Sequence, residues 1–111
     1  MEKQNPISQQ SRKSGQIVSL QKGKIPPQSV DLEEAVLGAM MIDKKGVDTV
    51  IDILSPLAFY NQSHQHIFEA IVQLFSDSSP IDLLTVSTQL RKNDKLEQVG
   101  GDFYLIQLTQ K

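Results

Sequence analysis

Cysteine and tryptophan are both absent from these 111 residues. Without cysteine there is no disulfide framework and no thiolate metal site, a composition that suits a reducing cytoplasm. Aromatic residues are scarce, four Phe and two Tyr, so any core has to be mostly Leu, Ile and Val. No apolar run approaches the ~20 residues of a membrane helix, and no membrane association is expected. The scattered Lys and Arg near the N-terminus have no hydrophobic region behind them, so the start does not read as a secretory signal. Catalytic signatures are missing too. There is no GxxxxGK[ST] phosphate loop, no HExxH and no nucleophile elbow. Gly100-Gly101 is followed by Asp102 and Phe103, with no Lys or hydroxyl residue to hold phosphate and magnesium, and reads as punctuation.

Charge of one sign is scarce at each end of the chain. Residues 1–24 carry five basic residues against one acidic, a net of +4. Residues 25–111 carry six basic and twelve acidic, a net of −6. An acidic body is a poor phosphate binder, because nucleic-acid affinity comes largely from Lys and Arg displacing counterions. The first 24 residues are rich in Gln, Ser, Lys and Gly with one short apolar patch, Ile17, Val18 and Leu20. They read as a flexible, polar, mildly basic tail. A weak DNA- or partner-binding arm is the functional alternative.

The pattern from residue 25 onward is helical. Pro26-Pro27 favours extended backbone, and a helix follows from Ser29 or Asp31. Asp31, Glu33 and Glu34 fill its first turn, where acidic groups complement the helix dipole. Adjacent carboxylates diverge by roughly 100° on a helix, so Glu33 and Glu34 read as a charged helix start and not as an acid–base pair. Leu32, Ala35, Val36, Leu37, Ala39 and Met40 supply its apolar stripe. Gly38 lies inside, where it costs up to about 1 kcal/mol relative to alanine, which points to close approach of another helix. A second helix carries Val47, Val50, Ile51 and Leu54 on one side and Asp48 and Asp52 on the other. The last two read as a solvated face, since a divalent-cation site would need a further ligand. Ser55-Pro56 has the form of a cap and first-turn proline. Asp82 is a good N-cap for a helix with Val86, Leu90, Leu83 and Leu84 facing inward. "LEQVGG" reads as one turn stopped by glycine. "DFYLIQLTQK" is apolar over much of its circumference, and Tyr104 is its best candidate for an exposed interface aromatic, with Phe103 beside it; core packing against a following segment is the competing explanation.

Both histidines lie in "FYNQSHQHIFEAI". His64 precedes Ile67 by three and Phe68 by four, which places it on the inward face with Ile71, Val72 and Phe75. His66 shares a side with Glu69 and Gln73, the outward face. Two residues on a helix span roughly 200°, so the pair cannot chelate one ion. His64 is expected to be a packed first-turn histidine with a hydrogen-bond partner, and Ser63 or Asn61 to cap the helix. A histidine-dependent hydrolase is disfavoured on this geometry.

Four segments occur in a recognisable order: "PPQSVDLEEAVLGAMMID", "FYNQSHQHIFEAI", "PIDLLTVSTQL" and "LEQVGGDFYLIQL". Together they resemble the N-terminal domain of the DnaB-type bacterial replicative DNA helicase. The resemblance runs from Pro26 to about Lys111. It departs from the family at Leu32, where a small residue is usual. Its signature positions here are His64, Phe59, Tyr60, Gly38, Asp82, Gly100 and Gly101. The resemblance implies an all-α fold, a compact bundle of about five to six helices, with residues 25–111 as the head. It implies no catalytic, cofactor or metal site in this stretch. In the whole protein a helical hairpin, a linker and a RecA-like ATPase domain would follow, with ATP and magnesium belonging to that domain. Six chains would form a ring, a trimer of dimers at the collar, unwinding DNA 5′ to 3′. The head would assist assembly and dock primase or a helicase loader, with DNA held by the rest of the protein in a bacterial cytoplasm. The alternative is a stand-alone helical adaptor or a loader-like protein.

Overall fold

The structure, a computed structural model, describes residues 29–111. The expectations for residues 1–24 and for Pro26-Pro27 fall outside the described residues. Within them lie six α-helices, two 3-10 turns and no strand, so the fold is all-α as the sequence pattern predicts. Helix α1 spans Val30–Ile42 and α2 spans Val47–Ile53. Asp43 separates them. Its backbone N–H closes α1 on the Ala39 carbonyl, and its side chain accepts from the Lys45 N–H of the Lys44–Gly46 turn. Ser55 and Pro56 open only a 3-10 turn, Pro56–Ala58.

Helix α3, Gln62–Ser76, is the centre of the molecule. Asn61 caps it, its side-chain oxygen accepting from the Ser63 and His64 N–H groups. Helix α4, Leu83–Lys92, begins with a reciprocal cap. The Asp82 carboxylate accepts from the Thr85 N–H, and the Thr85 hydroxyl accepts from the Asp82 N–H. Helix α5, Leu96–Val99, is one turn ended by Gly100 at φ +113°. Helix α6, Gly101–Thr109, completes the fold.

Ile67, Phe68 and Ile71 of α3 are fully buried with Leu37, Val86, Leu90, Leu105 and Leu108. Burying each such side chain is worth about 1.5–3 kcal/mol. Phe59 sits under the start of α3, its ring centroid 5.0 Å from that of Phe68. Helices α1 and α6 pack against each other, with Glu34 meeting Tyr104 and Gly38 meeting the Leu108 carbonyl. A Cβ on Gly38 would overlap that carbonyl oxygen, so the glycine lets the two backbones touch.

Three predicted faces turn out differently. In α1 the buried residues are Glu33, Leu37, Gly38, Met40 and Met41, while Leu32, Ala35 and Ala39 are exposed. The helix is apolar nearly all round, so periodicity alone cannot choose its inner face; contact with α6 at Gly38 does. Phe75, near the end of α3, has turned out to solvent, and Leu74 takes the inner position. Leu84 stands outward from the first turn of α4.

Candidate functional site

The capped start of α3 aims the His64 side chain into the core, where it is fully buried. Its Nδ1 lies 2.7 Å from Glu33 Oε1, and Glu33 is fully buried too. Glu33 Oε2 accepts from the Tyr60 N–H at 2.8 Å, and Oε1 also accepts a longer bond from the Asn61 N–H. One carboxylate on α1 thus satisfies donors on the chain entering α3 and fixes the imidazole of its first turn. On the other side, His64 Nε2 lies 2.6 Å from the Tyr104 hydroxyl. The two ring planes are nearly parallel, with centroids 6.0 Å apart. The Tyr104 hydroxyl donates to Glu34 Oε2 at 2.8 Å, and Glu34 Oε1 meets Lys111 Nζ at 2.9 Å.

The result is a continuous polar chain from Glu33 through His64, Tyr104 and Glu34 to Lys111. It ties α1, α3 and the end of α6 together.

A hydroxyl, a histidine and a carboxylate in a row also match the outline of a nucleophilic triad. Two features oppose that chemistry. His64 has no exposed surface for a substrate to reach. Tyr104 is driven away from nucleophilic character: burial, then its hydrogen bond to Glu34, push its pKa above that of an ordinary phenol. The hydrogen bond from Lys111 holds Glu34 below the usual carboxylate range. The arrangement braces the packing of α1, α3 and α6.

His66 points elsewhere. It is half-buried, and its Nε2 lies 3.2 Å from Gln98 Nε2. The two histidines share no partner. Among the described residues no group of three or more His, Asp or Glu side chains is placed to hold a metal ion.

The remaining signature residues sort by role. Phe59 is buried and Tyr60 exposed, its N–H serving Glu33. Gly100 adopts a left-handed conformation, and a Cβ there would stand 2.8 Å from Tyr104 Cβ. That glycine therefore clears the space in which Tyr104 turns toward His64. Gly101 also has positive φ. Tyr104, read from the sequence as an exposed aromatic, has its hydroxyl committed inward. Phe103 carries the open ring, 72 % exposed. Leu84 and Ile106, also exposed, line an open groove between α4 and α6.

Sequence reasoning missed Glu33. A signal was present: Glu33 lies four residues before Leu37 and so shares its face. An acid in line with a core leucine needs a buried partner, and His64 was the available one.

Fold and site together define an all-helical module braced by an internal histidine–carboxylate network, with exposed apolar surface between two of its helices. Residues 25–111 match the family described as DnaB-like helicase N-terminal domain. The replicative DNA helicase DnaB of Rhodothermus marinus is 50 % identical over 91 residues, 82 % of this chain and 10 % of that protein. The Geobacillus stearothermophilus helicase of the same name is 41 % identical over 86 residues, 78 % of this chain and 19 % of that protein. The crystal structure of the N-terminal domain of DnaB helicase from Mycobacterium tuberculosis superposes with a TM-score of 0.73 at 35 % identity, covering 78 % of this chain and 62 % of that one. The chain belongs to the DnaB-like helicase N-terminal domain family. It spans about a tenth to a fifth of the length of these two helicases.

Proposed function

We propose that residues 25–111 are the non-catalytic head of a hexameric replicative DNA helicase, serving ring assembly and the docking of primase or a helicase loader. ATP hydrolysis with magnesium and 5′-to-3′ unwinding then belong to the rest of the parent protein. The observation that carries this reading is the family match across 25–111. The site supports it, because its titratable groups are spent on holding three helices together. The acidic body fits a part that organises proteins while others grip DNA. In this reading apolar side chains such as Phe103 are partner contacts, since aromatic residues anchor interfaces.

The test compares the parent gene product with a form lacking residues 25–111. Native mass spectrometry reads ring assembly, and a primase-binding assay reads docking. The expected result is a hexamer for the intact protein, with weakened assembly and lost primase binding for the truncated one. Unchanged assembly and unchanged primase binding on truncation would overturn the proposal. So would a parent reading frame without a phosphate loop.

A further inference from the structure

The turn joining α1 to α2 and the loop joining α3 to α4 meet across an open pocket of about 350 Å³. That is within the size range of sites that hold an inserted group. Val47 and Ile81 line it and are themselves buried, while Phe75 and Pro80 are exposed. Phe75 follows Ile71 by four residues, the spacing of the inward face. The chain reverses directly after it. Ser78 takes φ +56°, its N–H bonds the Phe75 carbonyl, and the Ser79 N–H bonds the Leu74 carbonyl. Leu74 is buried beside that reversal, and Phe75 is left 42 % exposed.

Lys44 and Lys45, adjacent and exposed, edge the same pocket. The ion pairs among the described residues join His64 to Glu33, Arg91 to Asp102 and Lys111 to Glu34; neither Lys44 nor Lys45 takes part in them. Asp43 accepts from the Lys45 N–H and lines a different hollow, between α1 and α2. Asp48 is the one carboxylate in the pocket lining, and its Oδ1 accepts from the Thr49 N–H. Two ammonium groups over one carboxylate, in a body of net charge −6, give the pocket a sign opposite to its surroundings. An occupant therefore brings an apolar side chain for Phe75 and Pro80 and carboxylates for the lysines. A nucleic acid carries its charge as an unbroken row of phosphates, which Asp48 and the exposed Asp77 repel. A peptide places carboxylates at the two lysines alone.

We infer that this pocket docks a short acidic peptide segment of a partner protein. One aromatic or aliphatic side chain of the segment packs against Phe75 and Pro80, and its flanking carboxylates meet Lys44 and Lys45. The pocket shares no lining residue with the α4–α6 groove, so the two surfaces are separable by substitution. Docking here holds whether or not residues 25–111 serve a helicase ring.

The probe is a fluorescein-labelled peptide with Leu-Phe at its centre between two Asp-Glu-Asp triplets, read by anisotropy against the full 111-residue chain. Saturable binding is expected. The double variant Lys44→Glu, Lys45→Glu and the single variant Phe75→Ser should each weaken it about tenfold or more. Raising salt from about 50 to about 200 mM should weaken it severalfold. One control peptide replaces the acids by their amides, and another replaces Leu-Phe by Gly-Gly; both should bind about tenfold more weakly or worse. Amide shifts of the unaltered chain locate the site without any substitution. The peptide should move Lys44, Lys45, Phe75 and Ile81 and leave Leu84, Phe103 and Lys95 in place. Equal binding of the amide peptide, shifts centred on another face, or no binding at about 1 mM peptide would overturn the inference. Tighter binding of single-stranded oligothymidylate at the same residues would overturn it too, assigning the lysines to phosphate.

Discussion

Removing the Glu33 carboxylate strands donors in the core: the His64 ring N–H and the backbone N–H of Tyr60. Each orphaned buried donor costs on the order of 1–3 kcal/mol. Glu33→Ala is therefore expected to lower the unfolding free energy by about 3 kcal/mol, read by urea denaturation. Glu33→Gln keeps one acceptor oxygen and should lose less. Equal stability of Glu33→Ala and the parent chain would refute the network's role. Stability should also depend on pH at both extremes. Native Tyr104 binds its proton more tightly than the unfolded chain does, from burial and then the Glu34 bond. Its contribution is intact below the ordinary tyrosine value of about 10 and is lost as pH rises above it. Glu34 is depressed by the Lys111 hydrogen bond. Its contribution is intact above the ordinary glutamate value of about 4.3 and is lost as pH falls through the lower native value. Denaturation midpoints should fall on both arms, with Tyr104→Phe flattening the alkaline arm and Glu34→Gln the acid one. The inward aim of His64 was legible from its spacing to Ile67 and Phe68. Its partner was legible only through the alignment of Glu33 with Leu37, a signal masked because Glu33 lies 31 residues away in a first turn where acids are ordinarily explained by the dipole.

At the scale of elements, punctuation was the most legible signal. Asp82 caps α4, Asn61 caps α3, and Gly100 ends α5 because these residue types satisfy helix ends by local bonding. Asp82→Ala should cost about 1 kcal/mol, seen as a lower thermal midpoint. Helix faces were less legible. In α1, apolar residues surround the axis, and which of them are covered depends on where α6 arrives. Gly38 decides that through direct backbone contact. Gly38→Ala gains up to about 1 kcal/mol of helix propensity but meets the Leu108 carbonyl, and overpacking of this kind costs about 1–3 kcal/mol. A net loss of stability is expected by calorimetry. A more stable variant would show that α1 and α6 are free to separate.

At the scale of the molecule, the order of helices and their type followed from pattern, whereas exposure did not. Leu84 and Phe75 lie on faces that helical spacing marks as inward, yet both meet solvent. Spacing gives one apolar stripe per helix; the number of neighbours available to cover it is a property of the whole bundle. Residues 1–111 as a separate chain are expected to be a monomer or a weak oligomer by light scattering. The double variant Leu84→Ser, Phe103→Ser should keep its thermal midpoint nearly unchanged, since exposed positions usually move stability by about 0.5 kcal/mol or less. A stable hexamer of this chain would mean that the head alone suffices for assembly.

The packing of the first helix against the last has a mechanical consequence. Tension applied between the start of α1 and the end of α6 loads the contact between these two helices directly. The Glu34–Tyr104 bond, the Glu34–Lys111 pair and the Gly38–Leu108 contact are then strained together and must fail together. A head anchored this way behaves as a stiff link when its two ends are pulled.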